Sequence, residues 1–161
     1  QGGGEMVQEV TLAHTTYNDL PYKFEAGTPN IVGIIAWQEA LHFIAQVGYE
    51  NIRGHEDALL AHALDLLSSI NKVKIIGTAP KKIGVLAFTI EGMHHLDAGM
   101  LLDANGIAVR TGHSCTQPLM NFFDIEGVVR ASFAIYNTEE EVEKLATEVA
   151  SIVQKKLKTR L

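Results

Sequence analysis

Ala108 to Gln117 read A-V-R-T-G-H-S-C-T-Q and hold the only cysteine in the chain. A thiol with no second cysteine forms no internal disulfide, so it serves either as a small buried hydrophobe or as a reactive group. Its neighbours favour reactivity. Pro118 suits the first turn of a helix, where its missing N–H would lack a partner anyway. Thr116 or Gln117 then becomes the cap, and Cys115 falls just outside a helix start. Unpaired N–H groups and the helix dipole favour an anion at that end. His113 and Arg110 lie close by in sequence. Each of these influences lowers a thiol from its ordinary value of about 8.5, and together they describe a thiolate. Gly112 permits the tight turn that exposes the loop.

A second group with chemical potential is Arg130, which opens R-A-S-F-A-I-Y-N-T near the start of an otherwise apolar strand pattern. A charge there is costly unless paired. Two partners fit: an acid such as Asp124 or Glu126, or the carboxylate of a small substrate gripped by the guanidinium fork. Spacing alone leaves both open. Glu25 to Asn30, E-A-G-T-P-N, reads as an ordinary cap for the following helix or as a hydroxyl-and-backbone contact for a phosphate. His94 and His95 with His113 and Cys115 offer zinc-type ligands without a recognised zinc spacing. His14, His42, His55 and His62 read as solvated or packing residues, and Lys81-Lys82 as a solvated turn.

These residues need elements to hold them. From residue 1 to residue 30 there is little periodicity beyond a short strand over Val7–Leu12, so this stretch is expected to lie against something else. Apolar spacing predicts a helix over Ile31–Val47 closed by Gly48, and a second over about Asn51–Ile70. Strands are expected at Val73–Ile76, Ile83–Ile90, Ile107–Arg110 and Val128–Ile135, with a helix over His95–Asn105 and a helical turn over Pro118–Phe123. Thr138 with Glu141 forms a capping box for a last helix, whose apolar face is Val142, Leu145, Val149, Ile152 and Val153. The order predicts an α/β fold, a small mostly antiparallel sheet covered by helices.

Composition bounds the rest. The chain has 161 residues, 47% of them hydrophobic, with a formal net charge of −6. That charge argues against a nucleic-acid partner. No apolar run approaches the roughly 20 residues a membrane span needs, and one cysteine fits a reducing, cytoplasmic setting. The start Q-G-G-G-E-M lacks an initiator Met and signal-peptide regions, so the chain is expected to be a fragment entered mid-fold.

Four strings resemble the C-terminal part of a group II, SufS-like cysteine desulfurase, the branch of the class V aminotransferases that includes selenocysteine lyases. They are Gly2-Gly3-Gly4-Glu5-Met6, Pro21 to Asn30 (P-Y-K-F-E-A-G-T-P-N), Arg110-Thr111-Gly112-His113-Ser114-Cys115, and Arg130-Ala131-Ser132 running to Tyr136-Asn137-Thr138. They keep the family's order over nearly the whole chain. The resemblance implies the small C-terminal domain of a fold-type I enzyme that uses pyridoxal 5'-phosphate (PLP) to take sulfur from L-cysteine, leaving alanine. It makes Cys115 the nucleophile that carries the sulfur as a persulfide. Arg130 would bind the substrate carboxylate with Arg110 near the same site, and His113 would shape the thiol's surroundings. Thr28, with Gly27, would reach the phosphate of the cofactor held by the partner subunit of a homodimer. A SufE- or SufU-like acceptor and iron–sulfur cluster assembly are implied as well.

Two departures stand out. Ser114 and Thr116 replace a His and an Ala common in relatives, and no lysine here has the S-x-H-K-type context of the cofactor's anchor. The resemblance therefore implies segments 1–30 (packing on a PLP domain), 31–70 (interdomain helices) and 71–161 (small domain), inactive by themselves. Two other functions compete: a free-standing persulfide carrier, and a zinc-binding regulatory domain using His95, His113 and Cys115.

Overall fold

The computed structural model describes residues 2–158; Gln1 and residues 159–161, at the outer ends of the expected segments, lie outside the described residues. The chain divides into two units, Gln1–Tyr49 and Glu50–Leu161.

In the first unit, β1 (Val7–Val10) pairs antiparallel with β2 (Thr15–Tyr17). β1 is shorter than expected because the chain turns at Thr11, whose hydroxyl accepts the His14 N–H at 3.0 Å and donates to the His14 carbonyl at 2.9 Å. The helix α1 spans Ile31–Val47 as its spacing predicts. The Asn30 side chain caps it by accepting the Gly33 N–H at 3.0 Å, and Gly48, at φ 87°, ends it. α1 buries none of its own residues.

The second unit is built on a four-stranded antiparallel sheet, ordered β3 (Val73–Ile76), β4 (Val85–Ile90), β6 (Val128–Ser132), β5 (Arg110–Gly112). Alternate strand residues go to opposite faces. Leu86, Phe88, Ile90, Val129 and Ala131 meet α2 (Tyr49–Ser68), α3 (His95–Asp103) and α5 (Glu139–Lys158) in the main core. On the other face, Val128 and Ile76 pack with Met120 of α4 (Gln117–Phe123). The α/β expectation of an antiparallel sheet under helices holds.

The expected 31–70 segment of helices comprises α1 and α2, which fall in different units. Leu59, Leu60, Ala63 and Leu67 of α2 sit at 0–5% exposure inside the sheet's core, so α2 belongs with the second unit and α1 with the first. The capping box of α5 forms: the Glu141 N–H donates to Thr138 Oγ1 at 3.4 Å, and the Thr138 N–H to Glu141 Oε2 at 3.2 Å. Val142, Leu145, Val149, Ile152 and Val153 are all buried.

Three boundaries differ from the pattern. β4 starts at Val85, leaving Ile83 exposed. β6 stops at Ser132 because Asn137 Oδ1 accepts the Ala134 N–H at 2.9 Å and closes a turn. β5 begins at Arg110 rather than Ile107, because Ile107–Val109 diverges from Ala131–Phe133 around a cavity of about 280 Å³. Among the described residues, no single helix is long and apolar enough to cross a membrane.

Candidate functional site

The sheet face left free by α2, α3 and α5 carries both arginines. Arg110 of β5 and Arg130 of β6 are direct cross-strand partners, with Ala87 on the far side of Arg130. Residues opposite each other in an antiparallel pair project to the same face within about 5.5 Å, and like charges in that position repel. No ion pair found among the described residues includes either arginine, and the buried Nε of Arg130 has no hydrogen-bond partner among them. Neither acid expected to neutralise Arg130 forms an ion pair with it. Glu126 pairs with His94 at 3.3 Å, and Asp124 closes α4 in a left-handed conformation at φ 53°. Of the two partners the sequence left open, the internal salt bridge is absent, and the guanidinium edge waits for an acceptor.

β5 leads straight into the thiol. Gly112 takes φ 108°, and Ser114 and Cys115 take 47° and 60°, left-handed values that cost a side chain roughly 1 kcal/mol or more each. The loop is held locally. The Cys115 N–H donates to His113 Nδ1 at 3.1 Å, and the Thr116 N–H and hydroxyl donate to the His113 carbonyl at 2.8 and 2.6 Å. Cys115 is exposed and unbonded to another sulfur. It precedes α4, with Thr116 in the cap position, as expected from Pro118. The Thr116 hydroxyl points back to His113 instead of capping the helix.

The His113 ring enters the loop through Nδ1, which accepts the Cys115 N–H. The ring shapes the loop through that hydrogen bond.

The zinc reading gains no support. Among the described residues, no group of three or more His, Cys, Asp or Glu side chains is placed to hold a metal ion. His95 is engaged otherwise: burial first, then the neighbouring His94, holds its imidazole below the usual histidine value, with His113 adding to the effect and Glu126 and Asp97 opposing it.

In the first unit, Thr28 lines a mostly apolar cavity of about 480 Å³ with Glu5, Pro21, Tyr22, Glu25, Pro29 and Ile34. Gly27, at φ 98°, makes the turn before it. A Cβ on Gly3 would sit 2.5 Å from the Ala26 carbonyl carbon, so G-G-G-E-M and E-A-G-T-P-N rest directly on each other. Of the two readings of E-A-G-T-P-N, the cap is realised by Asn30, and Thr28 is among the residues lining the cavity.

Sequence reasoning missed Gly127, which is buried against His95 and the Gly112 backbone. A glycine immediately before a strand is the signal that could have found it, because it often marks close backbone approach.

An exposed thiol loop follows directly on the strand whose Arg110 stands opposite Arg130, on a small antiparallel sheet under helices. The sequence profile of the aminotransferase class-V family matches residues 1–145, and the chain belongs to that family. A probable cysteine desulfurase of Xylella fastidiosa is 43% identical over 151 residues, covering 94% of this chain and 36% of that protein. Probable cysteine desulfurase 1 of Mycobacterium leprae is 44% identical over 154 residues, covering 96% and 25%. The solved apo cysteine desulfurase of Thermococcus onnurineus NA1 superposes with a TM-score of 0.84 at 35% identity, covering 95% of this chain and 38% of that one. The Escherichia coli cysteine desulfurase CsdA, in S-sulfonic acid form, gives 0.84 at 35%, covering 96% and 38%. The chain thus spans between a quarter and just over a third of the length of these curated relatives.

Proposed function

We propose that this chain is the thiol-bearing portion of a PLP-dependent cysteine desulfurase of the SufS-like group. The observation that carries the reading is the cross-strand couple Arg110–Arg130, with the Nε of Arg130 buried and unpaired, one strand-end away from an exposed, free Cys115. A fork of unpaired N–H groups matches a carboxylate bidentately. An amino-acid substrate held there by its carboxylate presents its side-chain sulfur toward the loop.

The residues present fit the cofactor in part. Thr28, after the turn made by Gly27, offers a hydroxyl to its phosphate end, while the cavity that Thr28 lines is otherwise mostly apolar and holds Glu5 and Glu25, so the charge that complements the phosphate, like the anchoring lysine, would come from polypeptide beyond this chain. When bound, pyridoxal phosphate supplies the electron sink for C–S cleavage. Arg130 and Arg110 orient the substrate. The Cys115 thiolate donates its electron pair to the substrate sulfur, and an S–S bond forms as the C–S bond breaks. The released carbon takes up a proton to give alanine, and the sulfur stays on Cys115 as a persulfide. An exposed loop then offers that sulfur to an acceptor of the SufE or SufU type, and Thr28 serves the site of a partner subunit in a homodimer.

Alanine formation tests this. In the polypeptide that joins this chain to the cofactor lysine, L-cysteine yields alanine, Cys115→Ala abolishes sulfur release, and the 161-residue chain with added PLP forms none. Unchanged sulfur release in Cys115→Ala would overturn the assignment. The exposure of Cys115 also favours a second reading, a carrier that accepts sulfur without any cofactor; that reading requires persulfide transfer by the chain in the absence of a PLP-bearing partner segment.

A further inference from the structure

We propose that His95 is the positioning residue of the cysteine loop: its imidazole is the wedge that fixes where β5 ends and the turn to Cys115 begins. Its consequence for catalysis rests on the sulfur-carrier reading above, while its geometry stands independently.

α3 lies against β5 through a face with almost no side chain at the closest point. A Cβ on Gly99 would run into Thr111 Cγ2. One helical turn earlier on the same face stands His95. A Cβ on Gly127 would fall 2.5 Å from His95 Cδ2, 2.6 Å from its Nε2 and 3.0 Å from the Gly112 carbonyl carbon. Gly127 is therefore a notch that admits the ring edge, and the same notch touches the last residue of β5. Gly112 is in register with Val128, the residue after Gly127, and it is followed directly by His113, Ser114 and Cys115. Displacing the ring moves Gly112, and the loop's hydrogen bonds all hang from the next residue, His113.

The ring works by shape. Its Nδ1 is buried and has no hydrogen-bond partner among the described residues, so no polar contact there explains its presence. Burial and the adjacent His94, whose ring centroid is 4.1 Å away, favour the neutral imidazole. The groups facing it are His94 and Asp97 from α3, Glu126 from the segment before β6, and His113 from the loop itself. An uncharged wedge leaves His113 Nδ1 free to accept the Cys115 N–H without a cation beside it.

Residue-resolved amide hydrogen exchange of the 161-residue chain tests the proposal. His95→Ala speeds exchange at Gly112 to Thr116 by about tenfold, equal to about 1.4 kcal/mol of easier local opening, and leaves β3 and β4 unchanged. Gly127→Ala loosens the same loop, because its methyl collides with the ring and stands 3.0 Å from the Gly112 carbonyl carbon. In the double variant the methyl enters the space the ring vacates, and exchange returns toward the native rate. That mutual rescue is the signature of direct contact, which a general structural role would not produce. Native loop exchange in His95→Ala, an equal rise across β3 and β4, or a double variant no better than the worse single one would each overturn it. If His95→Ala does not fold, Gly127→Ala must loosen the loop alone, and native exchange in it overturns the proposal. Failure of the sulfur-carrier reading leaves these rates untouched, so the two fail separately.

Discussion

Replacing Arg130 with methionine, which keeps length and discards charge, should stabilise the isolated chain. In the native protein the guanidinium holds a buried Nε–H without an acceptor and stands opposite Arg110. An unsatisfied buried donor costs about 1–3 kcal/mol, and a directly opposed like charge adds roughly 0.2–1 kcal/mol. Arg130 is only half-buried, so part of its head group is solvated and the lower end of the range applies. Set against lost packing of its stem, the net expectation for Arg130→Met is a gain of about 1 kcal/mol, or about 2–4 °C in Tm for a chain of this size. Urea unfolding followed by far-UV circular dichroism, with Cm compared at equal m, reads it directly. Salt separates the contributions: the Arg110 repulsion is screened, so the gain should shrink but not vanish in high salt. A loss of 1 kcal/mol or more in Arg130→Met would refute the reasoning, for it would show the guanidinium to be a structural partner in the folded chain. The same substitution should abolish carboxylate binding in the complete enzyme, the trade expected where strain is kept for function.

Other consequences follow from the same contacts. Gly99→Ala should cost about 1–3 kcal/mol by overpacking against the Thr111 methyl, with most of it recovered in the Gly99→Ala/Thr111→Ser pair, as thermal denaturation would show. Because His95 has a lowered folded-state value, the unfolded chain binds its proton more readily; its contribution is complete above about pH 6.5 and declines as pH falls toward the folded value, which a stability–pH series on native and His95→Gln chains would reveal as a shallower acid slope in the variant. Glu141, lowered by its bonds to Asn137 and Thr138, contributes above its unfolded value, a contribution lost at more acid pH; Glu141→Gln should remove that acid limb. Ile31, Val32, Ile34, Ile35 and Trp37 leave α1 with a large exposed apolar surface, so sedimentation should show association rising with concentration and weakening in Trp37→Glu.

Elements whose pattern is local were legible from sequence. α1 kept its spacing and its glycine stop, β3 its two boundaries, and α5 its capping box, because each is set by neighbours within a few residues. β2 was invisible, since Thr15–Tyr17 is too short to show a period and exists through pairing with β1. β5 shifted for the same reason, its extent being decided by where β6 stays within reach. The thiol loop was legible as chemistry, and the resemblance put Arg110 near the site of Arg130, but their direct pairing was not legible: nineteen intervening residues conceal a register that only the assembled sheet defines. His95 drew attention as a metal ligand because histidine clusters suggest one, and its contact with Gly127 depends on how α3 docks.

Mass spectrometry of the chain after exposure to a low-molecular-weight persulfide tests most directly the claim on which both readings rest, that Cys115 carries sulfur as a persulfide. The Cys115 thiolate should attack the donor's outer sulfur and release the donor as a thiol. The expected product carries one additional sulfur on Cys115, is reversed by a reductant, and is absent in Cys115→Ser. A chain whose Cys115 alkylates readily yet takes up no sulfur would contradict the account.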